Sequence, residues 1–205
     1  MRNLVKSIQQ YWLTIILGML ALALFVTEQC FAIGVSALEF QIGDPAVSQI
    51  PQLFSSHFLH WSKEHLFWDL GVFLALCGVG ERISRTGTSI VLAIAGLLIP
   101  LGVSAVHFDI ETYRGLSGLD TALFGWVVTW FAVDTWKKSD RVATLFCLFL
   151  LAAMIAKTIH EYSTGTIFVN DNNFLPVPVA HVIGGMIGVT AAAASFQTTT
   201  KALST

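Results

Sequence analysis

The segment YRGLSGLDTALFGW, residues 113–126, sets a serine between two glycines and then runs into an apolar stretch. A serine hydroxyl is a poor nucleophile until a base takes its proton, and imidazole is the usual base because it titrates near neutrality. Ser117 is therefore a candidate nucleophile, with His181 and His65, each opening another apolar stretch, as candidate bases. Gly115 and Gly118 let the backbone turn sharply beside the serine. A serine at a helix N-terminus also has free amide donors and the positive end of the helix dipole where an oxyanion would form. Asp120 follows on roughly the same face, about one turn further along. The run Gly115-Leu116-Ser117-Gly118-Leu119 is not the GxSxG elbow of soluble hydrolases, because leucine stands at the last position and no strand leads into it. A serine in a membrane helix commonly packs against a neighbour or bonds to its own backbone, so Ser117 alone is weak evidence of chemistry.

The elements that must position these residues are membrane helices. Of 205 residues, 55% are hydrophobic and 12% charged, roughly half the charge share of an ordinary soluble domain. Apolar runs at about 11–33, 65–80, 89–106, 117–133, 142–159 and 177–196 each approach the ~20 residues that span a bilayer. They predict an all-α, polytopic membrane protein of six spans, one domain over residues 1–205. The first run is long and lacks a small-residue cleavage site, so it is read as a retained helix. Arg2, Lys6, Arg82, Arg85, Lys137, Lys138, Arg141 and Lys201 fall on one side of this arrangement, against Lys63, Arg114 and Lys157 on the other, which predicts cytoplasmic termini. Cys30, Cys77 and Cys147 have no CxxC spacing, so neither a disulfide framework nor a zinc ribbon is indicated. A net charge of -2 without a basic run gives no reason to expect a nucleic-acid partner. The partly apolar loop from about 34 to 64 is expected at the outer interface.

Ionisable groups inside spans are functional candidates by default, which makes their depth informative. At the rise of an α-helix, Ser117 stands about 25 Å above Asp134 and His65 about 24 Å above Glu81. Asp69 stands about 18 Å above Glu81, and His181 about 24 Å above Gln197. Three helices remote in sequence thus place a serine and two histidines in one layer.

The residues resemble the rhomboid family of intramembrane serine proteases, and the likeness covers most of the spans. GLSG followed by ALFGW resembles the family's GxSG and the start of its fourth helix, which implies Ser117 as nucleophile. AHVIGGMIG resembles its AHxxGxxxG sixth helix, implying His181 as base and Gly184 and Gly188 as close-packing positions. HFLHWSKEHLFWDLGVF resembles the HxxxxHxxxN segment, with His60 and His65 at the histidines, and GERISR the Glu-Arg element closing that helix. HWSKEHLFWDL is also similar to the rhombosortase-like branch, small rhomboids associated with trimming C-terminal anchors.

The resemblance implies a Ser-His dyad with no acidic third member and no cofactor or metal. It implies an oxyanion held by helix and loop donors, here around Gly115 and Leu116, with His65 and the Asn position. That position is Asp69, and Thr121 stands where the family often stacks a tyrosine on the base. A charged Asp69 would repel an oxyanion, so it must be a neutral donor, turned away, or a partner of His65; the donor is preferred to the charged partner because the family position carries an amide. No Trp-Arg pair occurs in the first loop. His60, Asp120 and Thr121 are expected to support the site. The implied substrate is a membrane protein with a transmembrane or tail-anchor helix, cleaved near the outer leaflet of a bilayer, the expected location being a bacterial inner (plasma) membrane. Two rival readings are a metal-dependent membrane hydrolase with His57, His60, His65, Asp69 and His181 as zinc ligands, and a non-catalytic rhomboid-like protein that binds helices. A transporter would call for a repeat or a broken-helix pair, and neither is seen.

Overall fold

The computed structural model describes residues 10–31, 34–106, 110–165 and 177–202. Its described residues form six α-helices and a two-stranded ribbon. Helix α1 is Trp12–Phe31, α2 the single turn Gln52–Ser55, α3 Lys63–Val106, α4 Ser117–Lys137, α5 Arg141–Thr164 and α6 Pro178–Ala202. Four of them, α1, α3, α5 and α6, are long and apolar enough to cross a membrane. Their outward faces are greasy: Leu145, Phe146, Phe149, Ile155 and Ile159 on α5 are all exposed. A surface of that kind suits lipid rather than water.

Helix α3 merges the second and third apolar runs. Its 44 residues are broken only at Ser84, whose backbone is extended (φ -162°, ψ 109°). The Ser84 hydroxyl accepts from the Gly87 amide at 3.0 Å, capping the arm that follows, so one residue serves as a whole loop. Gly80 lies against Thr88 and Gly87 against Trp126, where a Cβ would approach to 2.7 Å in each case. The two arms, 63–83 and 85–106, fold back on each other, because Asp69 of the first and Ile99 of the second both reach the start of α4, beside Gly115 and Gly118. Helices α4 and α5 also run past the expected limits of their apolar runs, to Lys137 and Thr164. Local signals explain the ends of α5. Asp140 accepts from the Ala143 amide at 3.0 Å, and Gly165 takes the left-handed conformation (φ 65°) that ends a helix.

Helix α4 is not among the four helices long and apolar enough to cross a membrane, yet it is the most enclosed. Gly118 to Asp120, Leu123, Trp126 and Ala132 are among its buried residues, because α3, α5 and α6 surround it. By contrast only 6% of the apolar stretch of α5 is buried.

Polar ties fasten both ends of the bundle. At the Ser84 end, the buried Glu81 accepts from the Thr14 amide at 2.9 Å and its hydroxyl at 2.7 Å, so a carboxylate from α3 caps the N-terminus of α1. At the Ser117 end, strand β1 (Phe40–Gln41) pairs antiparallel with β2 (Thr112–Tyr113), and Gln49 bonds both backbone groups of Gln41. This stitches the loop after α1 to the segment that leads into Ser117. That loop buries Leu53, Phe58 and Leu59 and exposes Val47, Ile50 and Phe54, an amphipathic arrangement fit for an interface.

Candidate functional site

Ser117 is the first residue of α4 and is half-buried. Leu116 at the N-cap contributes no side-chain hydrogen bond, so the amides of the first turn have no side-chain cap. Gly115, at φ +125°, makes the turn that brings the chain into this helix. Its amide donates to the Ser56 carbonyl at 3.1 Å, so that N–H already has a partner in this structure. Leu116 is fully buried.

The seam between α4 and α6 sets the level of His181. A Cβ on Gly184 would overlap the Gly118 carbonyl and lie 3.1 Å from the Ala122 amide. One on Gly188 would overlap the Ala122 carbonyl and lie 2.6 Å from the Trp126 amide. Gly184 thus sits opposite the 118–122 turn and Gly188 opposite the 122–126 turn. The same register carried one turn back puts His181 level with Ser117. Among the described residues, no hydrogen bond joins the Ser117 hydroxyl to His181.

His181 has instead an acidic partner. Its Nδ1 lies 2.9 Å from Glu161 Oε2, both side chains being buried, while Lys157 Nζ meets the other oxygen, Oε1, at 2.5 Å. Glu161 escaped the sequence reading because the apolar run was ended at 159, whereas the helix continues to Thr164. The available signal was the Lys157–Glu161 spacing of four, which sets a cation and a carboxylate on one face at the end of an apolar helix.

A second cluster stands on the other side of Gly115. Asp69 Oδ2 lies 3.1 Å from His65 Nε2 and 3.6 Å from His60 Nε2, with the two rings edge to face at 5.0 Å. A Cβ on Gly115 would lie 3.2 Å from His65 Nε2 and 3.7 Å from Asp69 Oδ2, so the turn before Ser117 is seated on this cluster. Asp69 Oδ2 thus faces two imidazole nitrogens, an arrangement that favours the partner reading of Asp69 over the neutral oxyanion donor. His57 lies apart, with Nε2 donating to the Gly96 carbonyl at 3.2 Å and Nδ1 3.5 Å from the Tyr113 hydroxyl. Burial pushes His57 down to about 4, against the opposing effect of its backbone bond to Gly96. Burial also lowers His60, with the Asp69 carboxylate pulling the other way. The five proposed zinc ligands therefore divide among three places. Among the described residues, no group of three or more His, Cys, Asp or Glu converges as a metal-ligand set.

Thr121 Oγ1 bonds back to the Ser117 carbonyl at 2.8 Å, and its methyl faces Gly185. Asp120 is buried within the bundle, its Oδ1 without a hydrogen-bond partner among the described residues. A tryptophan–arginine contact, not found as neighbours in the first loop, is built across two loops. The Arg114 guanidinium lies 3.5 Å from the centre of the Trp61 ring and pairs with Glu28 at 3.2 Å and Glu39 at 3.1 Å. It ties the end of α1 and the first loop to the residue before Gly115. Between α5 and α6 an apolar groove of about 250 Å³ is lined by Thr158, Ile159, Tyr162, Pro178, Val179 and Val182, next to the Glu161–His181 contact.

No protein-family model matches the chain, and no curated protein matches it.

Proposed function

We propose that the chain is a rhomboid-type intramembrane serine protease of six spans with cytoplasmic termini, the two arms of α3 counting as separate spans. Ser117 is the nucleophile and His181 the base. The carrying observation is the α4–α6 register, which brings Ser117 level with a histidine whose Nδ1 is already held by a carboxylate. The uncapped first turn of α4 supplies donors for the oxyanion, and His65 with Asp69 buttresses the turn at Gly115. The groove beside the pair is apolar enough to receive a membrane segment. The substrate class is a membrane protein with a transmembrane or tail-anchor helix, and the location a bacterial inner membrane.

The test is a fluorophosphonate probe on the full-length protein in detergent. Wild type is expected to label at Ser117, and Ser117→Ala and His181→Ala to lose labelling by about a thousandfold or more while keeping the wild-type unfolding transition. Labelling that survives Ser117→Ala overturns the assignment.

A further inference from the structure

We infer that Glu161 is a positioning residue that fixes His181 as an Nε2 base, so that the site works with three members, Ser117, His181 and Glu161; this rests on the serine-protease reading above. An ionised carboxylate can only accept, so the nitrogen 2.9 Å from Glu161 Oε2 must be an Nδ1–H donor. The neutral ring has one N–H, and Nε2 then carries the lone pair. Both carboxylate oxygens are used, Oε1 by Lys157 and Oε2 by His181, and a side chain 1% exposed leaves water little chance to compete. Lys157 is about half exposed, so it holds the carboxylate in place while solvent screens its charge.

In the reaction, Ser117 Oγ bonds to the substrate carbonyl carbon, its proton passes to Nε2, and the carbonyl electron pair moves onto oxygen. The imidazolium formed is held by Glu161, which takes no proton. Nε2 then gives its proton to the departing amine as the carbon–nitrogen bond breaks. Among the described residues, the charged groups tied to the ring are Glu161, bonded to it, and Lys157, bonded to Glu161, both from α5; the α4 register sets Ser117 at its level, and Asp120 lies buried a turn further along α4. The second arm of α3 meets α6 through Gly102 and Ile183, which carry no charge, and the first arm brings His65 and Asp69 to Gly115.

The experiment measures the rate of fluorophosphonate labelling against pH for full-length wild type, Glu161→Gln, Glu161→Asp and Lys157→Met. Glu161→Gln is expected to label about 10- to 1000-fold more slowly, with the acid limb of its profile moved to lower pH. Lys157→Met is expected to move that limb to higher pH, since the carboxylate then serves the imidazolium alone, and Glu161→Asp to recover part of the lost rate. A merely structural role would not give opposite displacements. Nitrogen-15 shifts of the His181 ring in wild type provide a readout independent of any variant's folding: Nδ1–H is expected, and Nε2–H overturns the inference. A wild-type rate and profile in Glu161→Gln, with labelling still lost in Ser117→Ala, overturns the role of Glu161 and leaves the protease standing. Absence of Ser117-dependent labelling in wild type overturns both.

Discussion

Two imidazole–carboxylate contacts flank the start of α4, and they are wired in opposite senses. In one, His181 offers Nδ1 to Glu161 and keeps Nε2 free of that contact; in the other, His65 and His60 both turn Nε2 toward Asp69. A base must present a lone pair to its nucleophile, so the first arrangement suits proton transfer and the second suits support. The contacts also differ in how they are made. His65 and Asp69 are one turn apart on α3, so the helix itself brings them together. Glu161 and His181 come from two helices, and only packing unites them. Their pairing is therefore hostage to the seam that seats α6, whereas the Asp69 cluster is not.

The sharpest way to separate the two is to break that seam. Gly188→Val places a branched side chain against the Ala122 carbonyl and the Trp126 amide, both backbone groups that cannot rotate aside. The expected result is a loss of about 3 kcal/mol or more of stability, with labelling of Ser117 lost in step, while the contacts of Asp69 on α3 remain. Thermal unfolding in detergent and the fluorophosphonate rate check this. An unchanged midpoint and rate would mean that α6 does not lie against α4 at Gly188.

The same contrast explains what the sequence could disclose. Contacts with a helical period were open to reading, and so were the helices themselves, from their apolar runs. GLSG and AHVIGGMIG pointed to one another through depth and motif together, since equal rise from a common boundary puts Ser117 and His181 in one layer and the resemblance implies their roles. Glu161 was hidden because hydropathy ends a helix where polarity begins, whereas hydrogen bonding carries α5 on to a glycine cap at Gly165. The Trp61–Arg114 contact and the bond from the Gly115 amide to Ser56 were hidden for another reason. Each joins loops whose approach is fixed by the β1–β2 ribbon, and two-residue strands leave no periodic trace. The surroundings of Asp69 were legible in part: its spacing of four from His65 is helical, whereas His60 reaches it from the preceding loop.

A fourth histidine sharpens the comparison, since among the described residues His57 is paired with the Gly96 carbonyl and the Tyr113 hydroxyl and with no carboxylate. Its folded form takes up a proton only near pH 4, whereas an unfolded histidine does so near the ordinary 6.5. Between those values the unfolded chain binds the additional proton, so acid favours unfolding; above about 6.5 the difference vanishes. The protein is expected to lose up to about 3 kcal/mol as pH falls from 6.5 to 4. His57→Gln, which retains a side-chain N–H for the Gly96 carbonyl, should flatten that decline. Unfolding midpoints of the two proteins across this range decide it, and parallel curves would remove His57 as the cause.

The smallest effect is expected at Asp69, where the two wirings can be told apart by charge. Asp69→Asn keeps the shape and one carbonyl oxygen, which can still accept from His65 Nε2, but it removes the negative charge between two imidazoles. The amide's two hydrogens can also face those nitrogens, in which case each ring must switch tautomer to accept. If Asp69 only braces His65 against Gly115, the rate should fall by about 1 kcal/mol, near fivefold to tenfold, by the same factor at every pH, because no proton is exchanged there during the reaction. Were Asp69 a neutral donor to the oxyanion, the amide would replace it without loss and labelling would hold or rise near neutrality. A uniform fall thus marks support, a maintained rate marks a donor, and the pH profile of labelling in wild type and Asp69→Asn separates them. The same substitution logic applied to Glu161 shifts the profile as well as the rate. On the proposed mechanism that difference separates the two carboxylates: Glu161 answers to the proton that leaves Ser117, and Asp69 only to the shape of the turn beneath it.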